Sequence, residues 1–444
     1  MLSAADNDTL SRVGPGTLMG DLMRQYWIPA IRSDELPTPD SPPVRVRLLG
    51  ESLIGYRATS GAVGLMQNAC PHRGASMFFG RNEEEGLRCV YHGWKFDVTG
   101  ACTDMPSEPP ESNFRTKVKA VAYPTRERNG IIWAYMGPRE TPPSLPDLES
   151  TLLAEGPHQI SVLHRPCNWM QGLEGEMDTV HAAFLHGGAS KVETSTPGTG
   201  GYYTAKNRSA KFSVIETPFG TSYGAYRPAE EDTYYWRIAH ILFPFYAMPP
   251  LGPLGRNATI GMYVPMDDEH HLHWEIMIAP GEGSTLGGLD GRPRNTSGNG
   301  PTTGRGSTLP NTTDWYGRFN IEQTMANDYM IDREAQASWK SYTGIEGVRQ
   351  QDMDVTESMG VIYNRTREHL GTTDQLIIRT RRRFVAAAKE LREHGTTPPG
   401  VDQPTLYRQR SGDLTLPRSL DWWEGTKDIR EKFDAIEPAR EAVR

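Results

Sequence analysis

The 444-residue chain contains no apolar run near the ~18–20 residues that cross a bilayer, so a membrane-spanning protein is not expected. Its start, Met1-Leu2-Ser3-Ala4-Ala5-Asp6-Asn7-Asp8, lacks the basic and apolar stretches of a secretory leader, which points to a cytoplasmic location. Cysteine is scarce. Four residues are too few for a disulfide scaffold, and in a cytoplasmic setting spaced cysteines more often bind metal or do chemistry. Basic residues are in deficit, 47 Lys and Arg against 55 Asp and Glu, for a net charge of −8. A nucleic-acid binder, which needs a basic face to neutralise phosphate, is disfavoured. No internal repeat is visible. Glycine (45) and proline (34) are plentiful and favour turns over an all-helical bundle. With 37% hydrophobic residues, including 10 Trp, 18 Tyr and 12 Phe, the chain has material for a sizeable core.

The texture divides the chain into a lead and two modules. Residues 1–40 read as a polar lead with a short helix or turn region around Thr17 to Trp27, packing on the larger module. Across 41–155, short strand-like runs such as Val44 to Leu48, Leu53 to Tyr56 and Ile131 to Tyr135 alternate with turn residues, which predicts a small all-β module. Residues 156–444 are mixed. Helix is expected over 168–186, longer antiparallel strands over 210–280 and helices over 315–393. A Gly-rich stretch, 281–310, reads as a flexible insertion. The expected class is α+β: an N-terminal all-β domain, then a catalytic domain with an antiparallel sheet flanked by helices.

Two short strings carry metal-binding residues: Cys70-Pro71-His72-Arg73-Gly74-Ala75 and Cys89-Val90-Tyr91-His92-Gly93-Trp94. Zinc knuckles usually pair Cys with Cys and His with His. Here each string supplies one of each, which suits a binuclear cluster with one iron on two thiolates and the other on two imidazoles, a Rieske centre. Gly74 and Gly93 follow the ligand pairs, where the backbone must turn tightly. Cys102 and Cys167 lack such surroundings and read as small buried residues.

A second group is Asp178, His181 and His186. On one helix Asp178 and His181 share a face, so the carboxylate is placed to orient the imidazole. His181 and His186, five apart, need an early helix end or a bulge between them to meet at one metal. Two His and one carboxylate form the facial triad of non-haem iron oxygenases. If 346–370 is helical, Val348, Val355, Met359, Ile362 and Tyr363 fall within about 80° of Asp352 on a helical wheel. That centres Asp352 on an apolar stripe, where a carboxylate is costly unless paired or on a metal. Asp328 and Asp332 are weaker candidates, and Asp354 falls on the opposite face.

Together these strings resemble the oxygenase (α) subunit of the Rieske non-haem iron aromatic-ring oxygenases. Gly16-Thr17-Leu18-Met19-Gly20, Tyr26-Trp27-x-Pro29 and Glu357-Ser358-Met359-Gly360 are similar to the branch that contains phthalate dioxygenase and aromatic O-demethylases. The resemblance implies a 2Fe–2S cluster on Cys70, His72, Cys89 and His92. It implies a mononuclear Fe(II) on His181, His186 and Asp352, with Asp178 bridging His181 to a neighbouring subunit's cluster histidine. It also implies a homotrimer or stacked trimers, O2 as co-substrate, and a separate reductase or ferredoxin, NAD(P)H acting only through that partner.

The expected substrate is an aromatic carboxylic acid, to be hydroxylated or O-demethylated. Arg227 and Arg237, on strand-like stretches, are candidates to clamp its carboxylate, though pairing with a structural acid is the alternative. Arg237 alternates in phase with Ala239, Ile241 and Phe243, pointing inward. The run Arg379, Arg381, Arg382, Arg383 reads as a solvated helix face or a docking site for an acidic electron donor. His270, His271 and His273 read as mostly surface. The rival classes are a Rieske electron-transfer protein without oxygenase chemistry and a zinc-binding structural protein.

Overall fold

The computed structural model describes residues 2–152, 158–255, 258–278 and 308–431. The 281–310 stretch lies outside these residues except for its last three. Among the described residues no helix is long and apolar enough to cross a membrane.

The described residues form four sheets, and their ladders are antiparallel. One four-stranded sheet runs Val44–Leu48, Glu51–Arg57, Val63–Gln67, Ala122–Tyr123, and a second runs Arg81–Glu83, Gly86–Arg88, Lys95–Phe96, Cys102–Asp104. These two enclose a core of their own that includes Ile54, Tyr56, Met66, Leu87 and Phe96 together with Cys70, Cys89 and Trp94. A three-stranded sheet joins Trp27–Arg32 to Ile131–Tyr135 and Thr125–Arg128. The eight-stranded sheet orders His158–Arg165, His271–Ile278, Ile260–Pro265, Tyr246–Met248, Thr233–Leu242, Gly220–Pro228 and Lys211–Thr217, with Gly412–Pro417 also pairing on Thr233–Leu242. Trp27, Trp133, Trp169, Tyr246, Trp274 and Phe384 fall in one shared core, so the lead, the three-stranded sheet and the large sheet are packed as one body.

The helix Trp169–Met177 ties the distant segments together. Its cap, Asn168, accepts from the Met170 N–H and donates to the carbonyls of Ser11 (2.9 Å) and Asp268 (2.7 Å). The Trp169 Nε1–H donates to the Leu10 carbonyl. Gln171 accepts from the Tyr363 N–H and donates to the Thr356 and Gly360 carbonyls. Glu174 meets Arg365 at 2.9 Å and Arg381 at 2.6 Å. Gly172 faces the sheet, where a Cβ would come 2.6 Å from His271 Nε2 and 2.8 Å from the Tyr263 ring. Any larger residue would lift the helix off the sheet.

Several expectations are corrected. Residues 168–186 are not one helix: the helix stops at Met177, and a 3-10 turn follows over His181–Ala183. Asp178 caps the helix in extended conformation, so it and His181 share a turn and not a helix face. The expected 346–370 helix is Val348–Glu357, and Gly360 at φ +95° marks the irregular chain beyond it. Its buried face is Gln350, Met353, Thr356 and Glu357, while Met359 is exposed, so the apolar stripe around Asp352 does not exist. His271 and His273 are buried, because their face of the strand is covered by the Trp169–Met177 helix. The basic run turns largely inward. Arg381 pairs with Glu174 and Glu368, and Arg379 donates to the Val214 carbonyl, while Arg382 stays exposed.

Burial alone would raise the Glu174 carboxyl, but the charges of Arg365 and Arg381 outweigh it and hold it below the usual range. A carboxyl depressed in the folded state contributes stability that is present above its unfolded value, about 4.3, and lost as pH falls through the folded one. Glu174→Gln is expected to cost about 3–5 kcal/mol at neutral pH, since two buried guanidiniums lose their shared partner. It should also flatten the acid limb of stability against pH in chemical denaturation. Equal acid slopes for the two proteins would contradict this account.

Candidate metal centres

The two Cys/His strings form loops of the same build. The Cys70 carbonyl accepts from Gly74 (2.9 Å) and its N–H donates to Ala75 (2.8 Å). The Cys89 carbonyl accepts from Gly93 (3.0 Å) and its N–H donates to Trp94 (2.9 Å). Gly74 and Gly93 both sit at φ +77°, a conformation that glycine adopts without strain. The loops bring the His72 and His92 rings to 4.4 Å, and His72 stacks on Trp94 at 4.2 Å. Burial pushes the Cys70 thiol up to about 11. The His72 and Arg73 N–H groups donate to the sulfur and pull it down, and nearby Cys89 adds to the rise. His72 Nδ1 is buried without a hydrogen-bond partner. A buried lone pair beside two thiols, one of whose sulfurs receives backbone N–H groups, fits an iron–sulfur cluster.

The second centre is assembled from two segments. After the helix ends at Met177, Asp178 Oδ1 accepts from the N–H of Val180 (2.7 Å) and, more weakly, His181 (3.4 Å), which turns the chain back on itself. The 3-10 turn and the residues after it bring His181 Nε2 to 3.1 Å from His186 Nε2. The Val348–Glu357 helix contributes Asp352, whose Oδ1 lies 3.5 Å from His181 Nε2 and 3.1 Å from His186 Nε2. The three ligand atoms lie within 4.8 Å of one another, the one such grouping of His, Cys, Asp and Glu among the described residues. Burial would raise the Asp352 carboxyl, but hydrogen bonding to the two imidazoles holds it far below the usual range. Burial would lower His181, and Asp352 raises it instead. Two imidazole nitrogens and a carboxylate oxygen converging without a proton for each contact fit a divalent cation.

These groups open onto a cavity of about 380 Å³, whose lining includes Asp178, His181, His186, Asp352, Tyr223 and Arg237. Arg349, also on its wall, is neutralised by Glu176 at 3.0 Å and by Glu275. Arg237 is different. Among the described residues its side chain has no hydrogen-bonded partner, and its Nε is buried and unpaired. Arg227 is 1% exposed, donates from Nε to the Asn207 carbonyl at 2.7 Å and does not reach the cavity lining. Burial, and then the nearby Arg237 charge, push its guanidinium down to about 10. Asp178 Oδ2 stands 3.8 Å from His181 Nδ1. The sequence reading did not single out Arg349, Gln351, Glu176, Glu275 or Tyr263. Tyr263 donates to Glu176 at 2.6 Å, and Gln351 accepts from His186 at 2.8 Å. Of these, only Arg349 and Gln351 share a helix with Asp352, the one sequence signal that could have found them.

Comparison with known proteins agrees with this construction. Residues 26–122 match the Rieske [2Fe-2S] domain family, and residues 134–442 match the family described as LigXa C-terminal domain like. The 3-chlorobenzoate-3,4-dioxygenase oxygenase subunit of Comamonas testosteroni is 45% identical over 427 residues, 95% of this chain and 97% of that one. The 5,5'-dehydrodivanillate O-demethylase oxygenase subunit of a Sphingobium species is 34% identical over 422 residues, 94% of this chain and 86% of that one. Dicamba monooxygenase, known from crystal structures, shares the fold at 17% identity with a TM-score of 0.55, over 84% of this chain and 99% of its own.

The chain is therefore an oxygenase, an enzyme with a Rieske iron–sulfur domain followed by an α+β domain. It belongs to the Rieske oxygenase family, in the branch whose catalytic half is of the LigXa C-terminal type. The zinc and pure electron-transfer readings fall with this assignment.

Asp352→Ala is expected to take the iron content from about three to about two per chain while leaving the cluster's visible absorption unchanged. Asp354, half-buried and absent from the cavity wall, should tolerate the same change. Metal analysis with the two outcomes exchanged would contradict the placement of Asp352.

Proposed function

We propose that this chain is the terminal oxygenase of a multicomponent system that hydroxylates or O-demethylates an aromatic carboxylic acid. Cys70, His72, Cys89 and His92 hold the 2Fe–2S cluster, and His181, His186 and Asp352 hold a mononuclear Fe(II). A separate reductase or ferredoxin supplies electrons that originate in NAD(P)H. The division used is a lead over 1–40, a Rieske domain over 41–155 and a catalytic domain over 156–444. When bound, the mononuclear iron supplies O2 activation beside the substrate. The protein's own part is the placement of the substrate in a small cavity beside the metal ligands.

One observation carries the substrate class: Arg237, a cation with no hydrogen-bonded or ion-paired partner among the described residues, lines the cavity that the three ligands enter. A guanidinium in that position calls for a bidentate anion, and a carboxylate fits its fork. The cavity, about 380 Å³, sits at the small end of ligand pockets, roughly 300–1,000 Å³, which favours a one-ring acid. The two relatives bear the names of a 3-chlorobenzoate dioxygenase and a dehydrodivanillate O-demethylase, which supports both reactions on an aromatic acid. Arg237→Gln should raise KM for aromatic acids roughly ten- to hundredfold, the worth of about 1.5–3 kcal/mol for a charged hydrogen bond, with a smaller change in kcat. The assay is product formation across methoxylated and unmethoxylated benzoates and the matching amides. Amides turned over as well as the acids would end the carboxylate reading.

The quaternary proposal is a homotrimer or stacked trimers, closed head to tail so that each cluster faces the next subunit's iron. Two exposed apolar groups support it. Phe79, Val90, Tyr91 and Phe114 crowd the cluster end, and Phe184, Trp339 and Tyr342 lie on segments beside the mononuclear site. Asp178, with one oxygen committed to the turn and the other toward His181, is placed to accept from a neighbour's cluster histidine. Asp178→Asn should keep both metal sites and the oligomer but lose coupled product formation. A monomer that is active in light-scattering-controlled assays would refute the ring.

A further inference from the structure

We infer that Gln351 is a positioning residue for the mononuclear site: its side-chain amide dictates which ring nitrogen of His186 carries the proton and so keeps Nε2 free to bind metal. The inference rests on the proposal that His181, His186 and Asp352 hold iron.

A neutral imidazole has one N–H and one lone pair, and only the lone pair can ligate. His186 is bracketed by one turn of the Val348–Glu357 helix. Its Nε2 faces Asp352 Oδ1 at 3.1 Å, and its Nδ1 faces Gln351 Oε1 at 2.8 Å. The two ends of a primary amide have nearly the same shape, so what fixes the orientation of Gln351 must be its partners. Gln351 Nε2 lies 2.8 Å from the carbonyl oxygen of Ile345, whose side chain is in a small buried core with Tyr329 and Met353. A carbonyl only accepts, so the NH2 end must face Ile345, which leaves Oε1 on His186. Oε1 also only accepts, so the proton of His186 must be on Nδ1, and the Nε2 lone pair points to the gap shared with His181 and Asp352. Reversing the amide would set two oxygens against each other at one end and the NH2 against Nδ1 at the other. Two hydrogen-bond polarities thus run in series from a backbone carbonyl to the ring, and they leave the ligand atom its lone pair.

His181 is held differently. Its Nδ1 is 3.8 Å from Asp178 Oδ2, beyond hydrogen-bonding reach within the chain. His186 is therefore the imidazole whose tautomer is set from within the subunit, and the group that sets it is neutral. An amide orients the ring without adding a second negative charge behind a site that already has Asp352.

The test is the Fe(II) affinity of the cluster-containing protein, measured by competition with a colorimetric chelator, for the native chain, Gln351→Met and Gln351→Glu. Gln351→Met keeps the bulk and removes both hydrogen bonds. It should weaken iron binding about ten- to hundredfold, the usual cost of losing such a partner, with cluster absorption unchanged. Gln351→Glu still accepts from Nδ1–H but cannot donate to Ile345, and it should bind iron within about threefold of native or more tightly. Native affinity in Gln351→Met would overturn the inference. So would Gln351→Glu falling with Gln351→Met, which would make Gln351 a tether for Ile345 alone. Should Gln351→Met fail to fold, Gln351→Glu decides, with retained affinity in support and a tenfold loss against. A native chain that takes up no mononuclear iron would instead sink the iron-site reading, and this inference with it.

Discussion

The seating of the Trp169–Met177 helix on the large sheet is the constraint on which the rest depends. Gly172 lets the helix backbone approach His271 and Tyr263, and no side chain could stand there without displacing it. The polar side chains on this helix then reach outward. Asn168 holds the lead and the hairpin near Asp268, Gln171 holds the chain at 356–363, and Glu174 holds Arg365 and Arg381. Where the helix ends, Asp178 begins the turn that delivers His181 and His186. Through Gln171 the same helix is fixed to the C-terminal end of the helix that delivers Asp352. The distance between the two halves of the metal site is thus set by buried hydrogen bonds, which tolerate little displacement.

The two centres are built on different physical principles. The cluster loops are local: two short loops with matching turn hydrogen bonds, closed over a small core that includes the cysteines themselves. The mononuclear site is non-local, with ligands about 165 residues apart brought together by packing and by neutralised charge. Arg349 illustrates the second kind. Glu176 and Glu275 hold it, and its Nη1 stands 3.7 Å from Asp352 Oδ2, so the carboxylate's two oxygens face different surroundings, one the imidazoles and the other a guanidinium. Against this internally balanced wall, Arg237 makes no ion pair among the described residues: Asp413, opposite it in the sheet, is hydrogen-bonded by Tyr235 instead.

Much of the site was legible in the sequence because its residues are close in the chain. The cluster set and the His181/His186 pair could be read from spacing, since a tight loop carries its side chains with it. The α+β class followed from runs of short and then longer strands. The apolar stripe that the sequence suggests around Asp352 is not what places it. The helix is shorter than the pattern suggested, and the apolar stripe is absent. Asp352 sits beside the imidazoles because the helix is aimed there, and they keep its carboxyl ionised.

What the sequence by itself determined was which side chains travel together: two Cys/His loops, a pair of histidines, an inward-phased Arg237. Only the tertiary structure decided what each of them meets. Strand periodicity puts His271 and His273 on one face, but whether that face is covered depends on a helix about a hundred residues away. Arg227 and Arg237 look alike in sequence and share a face of the sheet, yet one is buried away from the cavity and the other lines it. Gln351 is an ordinary polar helix residue until Ile345 and His186 fix its two ends. The physical reason is common to all three: covalent spacing sets local geometry, whereas burial and hydrogen-bond polarity belong to surfaces that exist only after distant segments have packed.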